Sequence, residues 1–177
     1  MMNSNIKAFL EKAARLLDED NFEGFITYSN VVLSPEESAQ MYKMLLECDI
    51  DLISLSSQIP SNYFYGNESL SNYKIEENVT RIGSKAFKGC VHLESIDLTN
   101  IEYIGMEAFA SCHRLLELTL PRPLKEIGMG AFQSSGLRIL HFKGTKSEFE
   151  SIRQEYAFYN SNIKEIHCID ENINLKR

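Results

Sequence analysis

One nine-residue unit occurs three times in this chain, and this repetition constrains the fold more than any other feature. The copies are IGSKAFKGC at 82–90, IGMEAFASC at 104–112 and IGMGAFQSS at 127–135. Successive copies are offset by 22 (104 − 82) and 23 (127 − 104) residues. Self-similarity at a fixed period of about 20–50 residues is typical of solenoids and other repeat arrays. A catalytic group is needed once, whereas a packing position is needed in every copy, so the unit is predicted to be structural.

A fourth, degenerate copy lies upstream, in FYGNESLSNYKI at 64–75. Its Phe64 precedes Phe87 by 23 residues (87 − 64), and Tyr73 precedes Ile96 by 23 (96 − 73). One copy cannot bury its apolar side alone, so the copies are expected to stack as coils around a shared core. The segment that follows each unit, L-x-x-I-x-L, has the alternating pattern of a short strand. These strands are expected to pair in parallel between coils, about 4.8 Å apart.

The full pattern, I-G-x-x-A-F-x-x-C-x-x-L-x-x-I-x-L, resembles the BspA-type leucine-rich repeat, and the resemblance covers residues 54–170. It implies a curved solenoid that binds other molecules, often on cell surfaces, but it supplies no particular ligand. The predicted fold is therefore α/β: a short leucine-rich-repeat solenoid of about four coils of 22–23 residues, with parallel strands and a cap at each end. The predicted repeats are 54–78, 79–100, 101–123 and 124–143.

Residues 1–53 are predicted to form a helical N-terminal cap, and a separate docking or dimerisation module is the alternative. Residues 5–17 carry apolar side chains at helical spacing, which indicates an amphipathic helix. A second helix is signalled by SPEESAQMYKMLLE at 34–47, in which Ser34 can cap the helix and Glu37 completes a capping box. Its inward face is expected to hold Met41, Tyr42, Met44 and Leu45.

Residues 144–177 are predicted to form a C-terminal cap made of a helix and a last strand. Thr145 and Glu148 make a plausible capping box for a helix at about 146–157. The last seven residues, 171–177, are expected to be a frayed tail. The side chains expected to cover the last coil are Phe149, Ile152 and Tyr156.

Charge and the N-terminus restrict the classes of partner. The chain has 177 residues and a net charge of −7, which argues against nucleic acid and against an anionic membrane as partners. Charged residues interrupt the apolar residues near the N-terminus, so neither a signal peptide nor a transmembrane segment is predicted. We therefore expect a cytoplasmic location and reduced thiols for the four cysteines.

Two features inside the repeat look like chemical sites but have simpler explanations. Gly128-Met129-Gly130 lacks the third glycine of a dinucleotide fingerprint, since position 133 is Gln. Gly128 also shares the position of Gly83 in the first copy, where we expect a tight turn. Cys90 is expected to be a small buried hydrophobe. The chain is therefore predicted to be non-enzymatic, without catalytic residues, cofactor or metal.

If the solenoid binds a partner, the residues that vary between the inward positions of each strand are the candidates. The candidate partner-binding face is Asn72, Lys74, Ser95, Asp97, Glu117, Thr119, Ile139 and His141. Its acidic centre favours a partner with a basic patch. Ile139 is an apolar residue in an outward position, so it is expected either to pack under the C-terminal cap or to anchor a contact. Tyr63 and Tyr65 are a second candidate pair, expected to be exposed.

The function predicted from these patterns is non-catalytic protein–protein interaction. A compact repeat protein of this kind suits a small intracellular inhibitor, adaptor or effector, including a virus-encoded one, that binds a protein through the solenoid face. A self-assembling structural subunit that forms a homo-oligomer is the first alternative. A surface adhesin fragment that lacks its export signal is the second.

Overall fold

The computed structural model describes residues 33–47, 53 and 57–175. Two helices and ten strands follow one another in these residues. In chain order they are α1 (Pro35–Glu47), β1 (Gln58–Ile59), β2 (Asn72–Lys74), β3 (Arg81–Ile82), β4 (Ser95–Asp97), β5 (Tyr103–Ile104), β6 (Glu117–Leu120), β7 (Glu126–Ile127), β8 (Ile139–Phe142), α2 (Lys146–Ser151), β9 (Glu165–His167) and β10 (Asn172–Asn174).

The repeats coil into a parallel-strand solenoid, as the sequence predicts. One sheet has the order β1-β3-β5-β7, with isoleucines 59, 82, 104 and 127 in register across it. The second strand of each coil lies on another side, in a pair β2-β4 and a sheet β6-β8-β9-β10. We call the outward side of β2, β4, β6, β8 and β9 the strand face. The segment that joins the two strands of a coil, such as 83–94, is called the turn segment.

A stack of five aromatic rings runs through the core along the turn segments. Adjacent ring centroids lie 5.1 to 6.0 Å apart, and the planes within the repeats are close to parallel. Stacking of this kind adds to the free energy gained by burying each ring. The degenerate first copy contributes Phe64 at one end of the stack, which confirms its alignment with the other copies. The rings in order are Phe64, Phe87, Phe109, Phe132 and Phe158.

A tight turn begins at Gly83, as expected, since its carbonyl accepts from the N–H of Ala86 at 3.3 Å, but close backbone approach is what requires glycine there. A Cβ atom on Gly105 would lie 2.6 Å from the carbonyl carbon of Gly83, and one on Gly128 would lie 2.5 Å from the backbone nitrogen of Met106. Gly83 and its two counterparts do not have positive φ angles. The backbones of successive coils touch at this position, which is why glycine recurs there.

The left-handed conformations lie elsewhere in the turn segments, at two positions per coil that have positive φ. The first position is occupied by Lys85 (φ 59°) in one coil and by Glu107 (φ 54°) in the next. The second is occupied by Gly89 (φ 77°) and Ser111 (φ 60°) in the same two coils. Left-handed backbone favours glycine, because a Cβ atom is strained there. The periodic recurrence of this conformation keeps each turn segment parallel to the one before.

The structure contains a fifth coil where the sequence predicts a C-terminal cap. Arg153 pairs with Glu126, Phe158 stacks on Phe132, and β9 pairs in parallel with β8. Phe158 follows Phe132 by 26 residues (158 − 132) instead of 22 or 23, because α2 is inserted between the fourth and fifth coils. The insertion conceals the repeat from a fixed-period alignment.

Helix α2 begins as predicted but ends early. Thr145 and Glu148 form the capping box, and Ile152 is already extended, so the predicted end at 157 is wrong. Phe149 and Ile152 are buried, as expected. Tyr156, by contrast, is 64% exposed, because it occupies one of the left-handed positions of the fifth coil.

The ends of the described chain also differ in part from expectation. Ser34 and Glu37 form the capping box of α1, and Met41 and Tyr42 are buried against the first coil. Met44 was expected to face inward, but it is 55% exposed. The predicted helix at 5–17 lies outside the described residues. At the other end, three of the seven residues of the expected tail form β10, which pairs antiparallel with β9.

Candidate functional site

The strand face carries a shallow open groove of about 750 Å³ that crosses β2, β4, β6 and β8. Inward residues of these strands, such as Leu118 and Leu140, are buried in the core, so the alternate residues project from the sheet. Seven of the eight residues of the candidate face line the groove. They are Asn72, Lys74, Ser95, Asp97, Glu117, Thr119 and His141.

Ile139, the eighth residue, lies in the same sheet but does not line the groove. It is half-buried, and it is paired with Glu117 on one side and with Glu165 on the other. The neighbouring strand of the fifth coil, not a separate cap, therefore lies beside it.

The N-terminal part of the groove has a polar and hydrogen-bonded surface. Ser95 Oγ donates to Asn72 Oδ1 across the β2–β4 pair at 2.5 Å. Asp97 Oδ1 accepts from both the backbone N–H and the hydroxyl of Thr99, at 3.0 and 2.6 Å. These bonds hold the pKa of the Asp97 carboxyl below its usual value, with a smaller contribution from the positive charges of Lys143 and Lys74. The Asp97 carboxylate is thus fixed in position by its own strand end.

The C-terminal part of the strand face is built around two histidines in adjacent strands. His141 and His167 are paired in register, with ring centroids 5.1 Å apart in an edge-to-face arrangement. Each ring lies near a carboxylate: Nε2 of His141 is 3.7 Å from Glu117, and Nε2 of His167 is 2.9 Å from Glu165. The acidic residues of this face are therefore interleaved with basic groups.

Sequence reasoning missed several residues that belong to this surface. Thr99, Pro121 and Lys143 line the groove one position beyond the predicted strands. They share one repeat position, so extending the alignment by one residue would have found them. His167 was missed because the fifth coil was not recognised.

The second candidate pair is only partly supported by its placement. Tyr63 is 5% exposed, so the expectation that it is exposed is wrong: its ring packs between those of Tyr42 and Phe64, at 4.9 and 4.8 Å. The tyrosine takes the alanine position of the repeat, and α1 covers it. Tyr65 is half-buried and lines a separate open depression of about 850 Å³ between α1 and the first coil.

The cysteines of the repeat are core residues, as predicted. Cys90 and Cys112 are fully buried, and each thiol donates to a carbonyl of the previous coil, Phe64 and Phe87 respectively, at 3.1 Å. Burial raises the pKa of Cys90 to about 12, and it raises the pKa of Cys112 further. Thiols with such pKa values are almost entirely protonated at neutral pH and are poor nucleophiles.

Within residues 33–47, 53 and 57–175, no group of three or more His, Cys, Asp or Glu side chains is placed to hold a metal ion. No helix among the same residues is long and apolar enough to cross a membrane.

Comparisons with known proteins agree with the repeat pattern. Residues 57–177 match the model of the BspA-type leucine-rich repeat region, in six copies. No curated protein matches the chain. Among solved structures, a leucine-rich repeat protein from Bacteroides ovatus is 25% identical with a TM-score of 0.48, and a T. pallidum leucine-rich repeat protein is 25% identical with a TM-score of 0.40.

The solved structures differ from this chain in extent. The Bacteroides ovatus match covers 62% of this chain and 28% of that protein, and the T. pallidum match covers 63% of each. A leucine-rich cell surface protein from Faecalibacterium prausnitzii is 21% identical, with a TM-score of 0.41, and the match covers 65% of this chain and 38% of that one. The family model spans more than half of the sequence, and the coils, the isoleucine register and the aromatic stack follow its repeat, so this chain belongs to the BspA-type leucine-rich repeat family.

Proposed function

We propose that this chain is a non-catalytic protein-binding module whose partner docks in the groove of the strand face. The leucine-rich repeat fold suggests an interaction or surface-repeat module, and proteins of this family are generally non-catalytic. The observation that supports the groove as the docking surface is the alignment of the outward residues. Side chains from four consecutive coils line one continuous groove, although they vary in type from coil to coil.

The shape of the groove favours a macromolecule over a small ligand. Small-molecule sites bury most of the ligand in a concave, mostly apolar pocket. This groove is shallow, and its lining includes exposed polar side chains such as Ser95, Asp97 and Thr119. The strands beneath it are held by parallel pairing, so the surface is organised before a partner arrives, which lowers the entropic cost of binding.

The charges of the groove favour a partner of mixed charge with a basic group near its centre. Asp97 and Glu117 are the acidic residues of the lining, and Lys74, Lys143 and His141 are its basic residues. Asp97 feels both lysines, and Glu117 faces His141. A basic group on the partner would meet Glu117, which is the more exposed member of its pair with His141. The association rate should therefore fall moderately with ionic strength.

Arginine substitutions in the groove test this proposal. Ser95→Arg and Thr119→Arg each place a large charged side chain in the lining without altering an inward residue. The matched control is Met129→Arg, an exposed position on a turn segment. Proteins retained from the native cell by the unmodified chain would be quantified on each variant after circular dichroism has shown an unchanged fold.

The expected result is loss of the same retained protein with both groove variants and full retention with Met129→Arg. Equal retention by all three variants would show that the strand face is not the docking surface. The identity of the retained protein would also distinguish an intracellular inhibitor, adaptor or effector from a surface adhesin. The cytoplasmic location is part of the proposal, and fractionation of the native cell tests it directly.

A further inference from the structure

The last strand of the solenoid runs against all the others of its sheet. Strands β6, β8 and β9 are parallel, whereas β10 pairs antiparallel with β9, with Ile173 opposite Ile166. In the described part of the chain, β10 is the end strand of this sheet, so its second side has no strand partner there. An edge strand of this kind is a template for another strand.

The hydrogen bond at the end of β10 shows which backbone groups lie on its second side. The N–H of Leu175 donates to the carbonyl of Lys164 at 2.9 Å. In an antiparallel pair, bonded positions alternate, so Ile173 faces β9 as Leu175 does. The N–H and C=O groups of Asn172 and Asn174 therefore point away from β9. Both asparagine side chains are exposed.

We propose that a second copy of this chain pairs with this edge, β10 against β10, to form a two-fold symmetric dimer. If the axis passes beside Ile173, Asn172 lies opposite the partner's Asn174, and Asn174 lies opposite the partner's Asn172. These are the residues whose backbone groups point outward, so each donates and accepts one hydrogen bond. The register that two-fold symmetry requires therefore sets the outward backbone groups of Asn172 opposite those of the partner's Asn174.

Two-fold symmetry limits this assembly to two copies. Each β10 edge is covered by the β10 edge of the other copy, so the same patch is used on both copies and the contact closes. The two β6-β8-β9-β10 sheets then become one continuous sheet, and the dimer carries two copies of the proposed groove.

Charge and apolar surface both favour a second copy of this chain as the occupant. The acidic pair Asp170-Glu171 precedes β10, and the basic pair Lys176-Arg177, which lies outside the described residues, follows it. Lys146 holds the acidic pair, because its backbone N–H donates to Asp170 and its ammonium group pairs with Glu171, so one cation offsets two carboxylates. Antiparallel self-pairing would direct this acidic sequence before β10 in one copy toward the basic sequence after β10 in the other. Ile173 is partly buried where it packs against the core, and Ile169, in the connection between β9 and β10, is 70% exposed. A second copy would cover this end.

Molecular mass as a function of concentration tests the dimer. Light scattering or sedimentation equilibrium of the 20.3 kDa chain should show a mass that rises toward twice that value from low to high micromolar concentration. Asn174→Pro removes an outward N–H and leaves the bonds to β9 intact, so it should raise the midpoint concentration about tenfold or more. Asn174→Ala keeps the backbone N–H and should dimerise like the unmodified chain.

A single engineered cysteine tests the register. In the proposed dimer, Ile173 and the partner's Ile173 form a non-hydrogen-bonded pair with Cα atoms about 4.5 Å apart, which is within disulfide range. Under mild oxidation, Ile173→Cys should give a covalent dimer well above the level of the unmodified chain, which already holds four cysteines. In the same register, Asn172 lies opposite the partner's Asn174 and not opposite the partner's Asn172. Asn172→Cys should therefore give no more covalent dimer than the unmodified chain.

Several outcomes would overturn the proposal. A mass of one chain at every concentration excludes the dimer. A dimer that Asn174→Pro leaves unchanged is formed by another surface, and equal cross-linking of both cysteine variants excludes the register. A mass that grows beyond two copies excludes closed symmetry. These results are independent of the groove, because the substitutions lie outside its lining.

Discussion

The turn segments and the strand face belong to the same coils, yet they are constrained in opposite ways. In the turn segments, each coil touches the backbone of the one before, through Gly105 on Gly83 and through the thiol of Cys112 on Phe87. On the strand face, the contacts that recur from coil to coil are made by the inward side chains, and the outward side chains differ in every coil. Stability is therefore concentrated in one region, and freedom to vary is concentrated in the other.

The aromatic stack should show the largest effect when this division is tested. Phe109→Ala removes a fully buried ring between Phe87 and Phe132, at 5.2 and 6.0 Å, so we expect a loss of about 3–5 kcal/mol in the free energy of unfolding. Chemical denaturation measures it. Leu116→Ala, at an exposed position of the same coil, is the control and should change stability by less than about 0.5 kcal/mol. An unchanged melting temperature for Phe109→Ala would refute the stacked arrangement.

The glycine that separates two coils should show the next largest effect. In Gly105→Ala, the new Cβ atom would lie 2.6 Å from backbone atoms of Gly83 and Ser84, so the coils must move apart. We expect a loss of about 1–3 kcal/mol, as for other overpacked sites. The control is Met106→Ala, next to it and exposed. If both substitutions had equal effects on thermal unfolding, close approach would not explain the repeat glycine.

The left-handed position of the turn segment gives a smaller effect with a predictable sign. Ser111 has a φ of 60°, where the first copies of the repeat have glycine, as at Gly89. Ser111→Gly should raise the free energy of unfolding by about 1 kcal/mol, and Gly89→Ser should lower it by a similar amount. The two variants would be compared by urea titration. Shifts of the same sign in both would contradict a conformational origin.

The repeated core was predictable because its constraint recurs in every coil. Ile82, Phe87 and Leu93 each align with counterparts at the same spacing, so the sequence predicts their burial without knowledge of the three-dimensional arrangement. The degenerate first coil was found in the same way, from Phe64 and Tyr73. The strand register, in which Tyr73 pairs with Ile96 and Ile82 with Ile104, is the one that the alignment predicts.

The features that sequence reasoning missed occur where the period changes or where a single local contact decides. The insertion of α2 shifts Phe158 out of step, so the fifth coil and His167 were overlooked. Tyr63 is buried because α1 happens to cover it, and no repeat position encodes that contact. The reversal at β10 depends on pairing with β9 across a short connection. The composition of the groove was predictable position by position, but its continuity across four coils needed the structure.

The strand face should show the smallest effect on stability, and its pH dependence makes the comparison sharper. The hydrogen bonds from Thr99 lower the pKa of Asp97 in the folded state. A lowered pKa means that the folded protein favours the ionised form. The contribution of Asp97 is therefore complete above the pKa of an unfolded aspartate, about 3.9, and is lost as the pH falls through the folded value. Because the residue is exposed, we expect Asp97→Asn to cost less than about 0.5 kcal/mol at neutral pH.

Thermal unfolding of Asp97→Asn and of the unmodified chain from pH 7 downward would measure this difference. The two melting temperatures should converge only below pH 4, where Asp97 itself becomes protonated. A large loss at neutral pH would mean that this face supports the fold as the turn segments do. A small loss of stability, together with weaker partner binding, would mean that Asp97 serves recognition. Its bonds to Thr99 would then orient a carboxylate that contributes little to the stability of the coil.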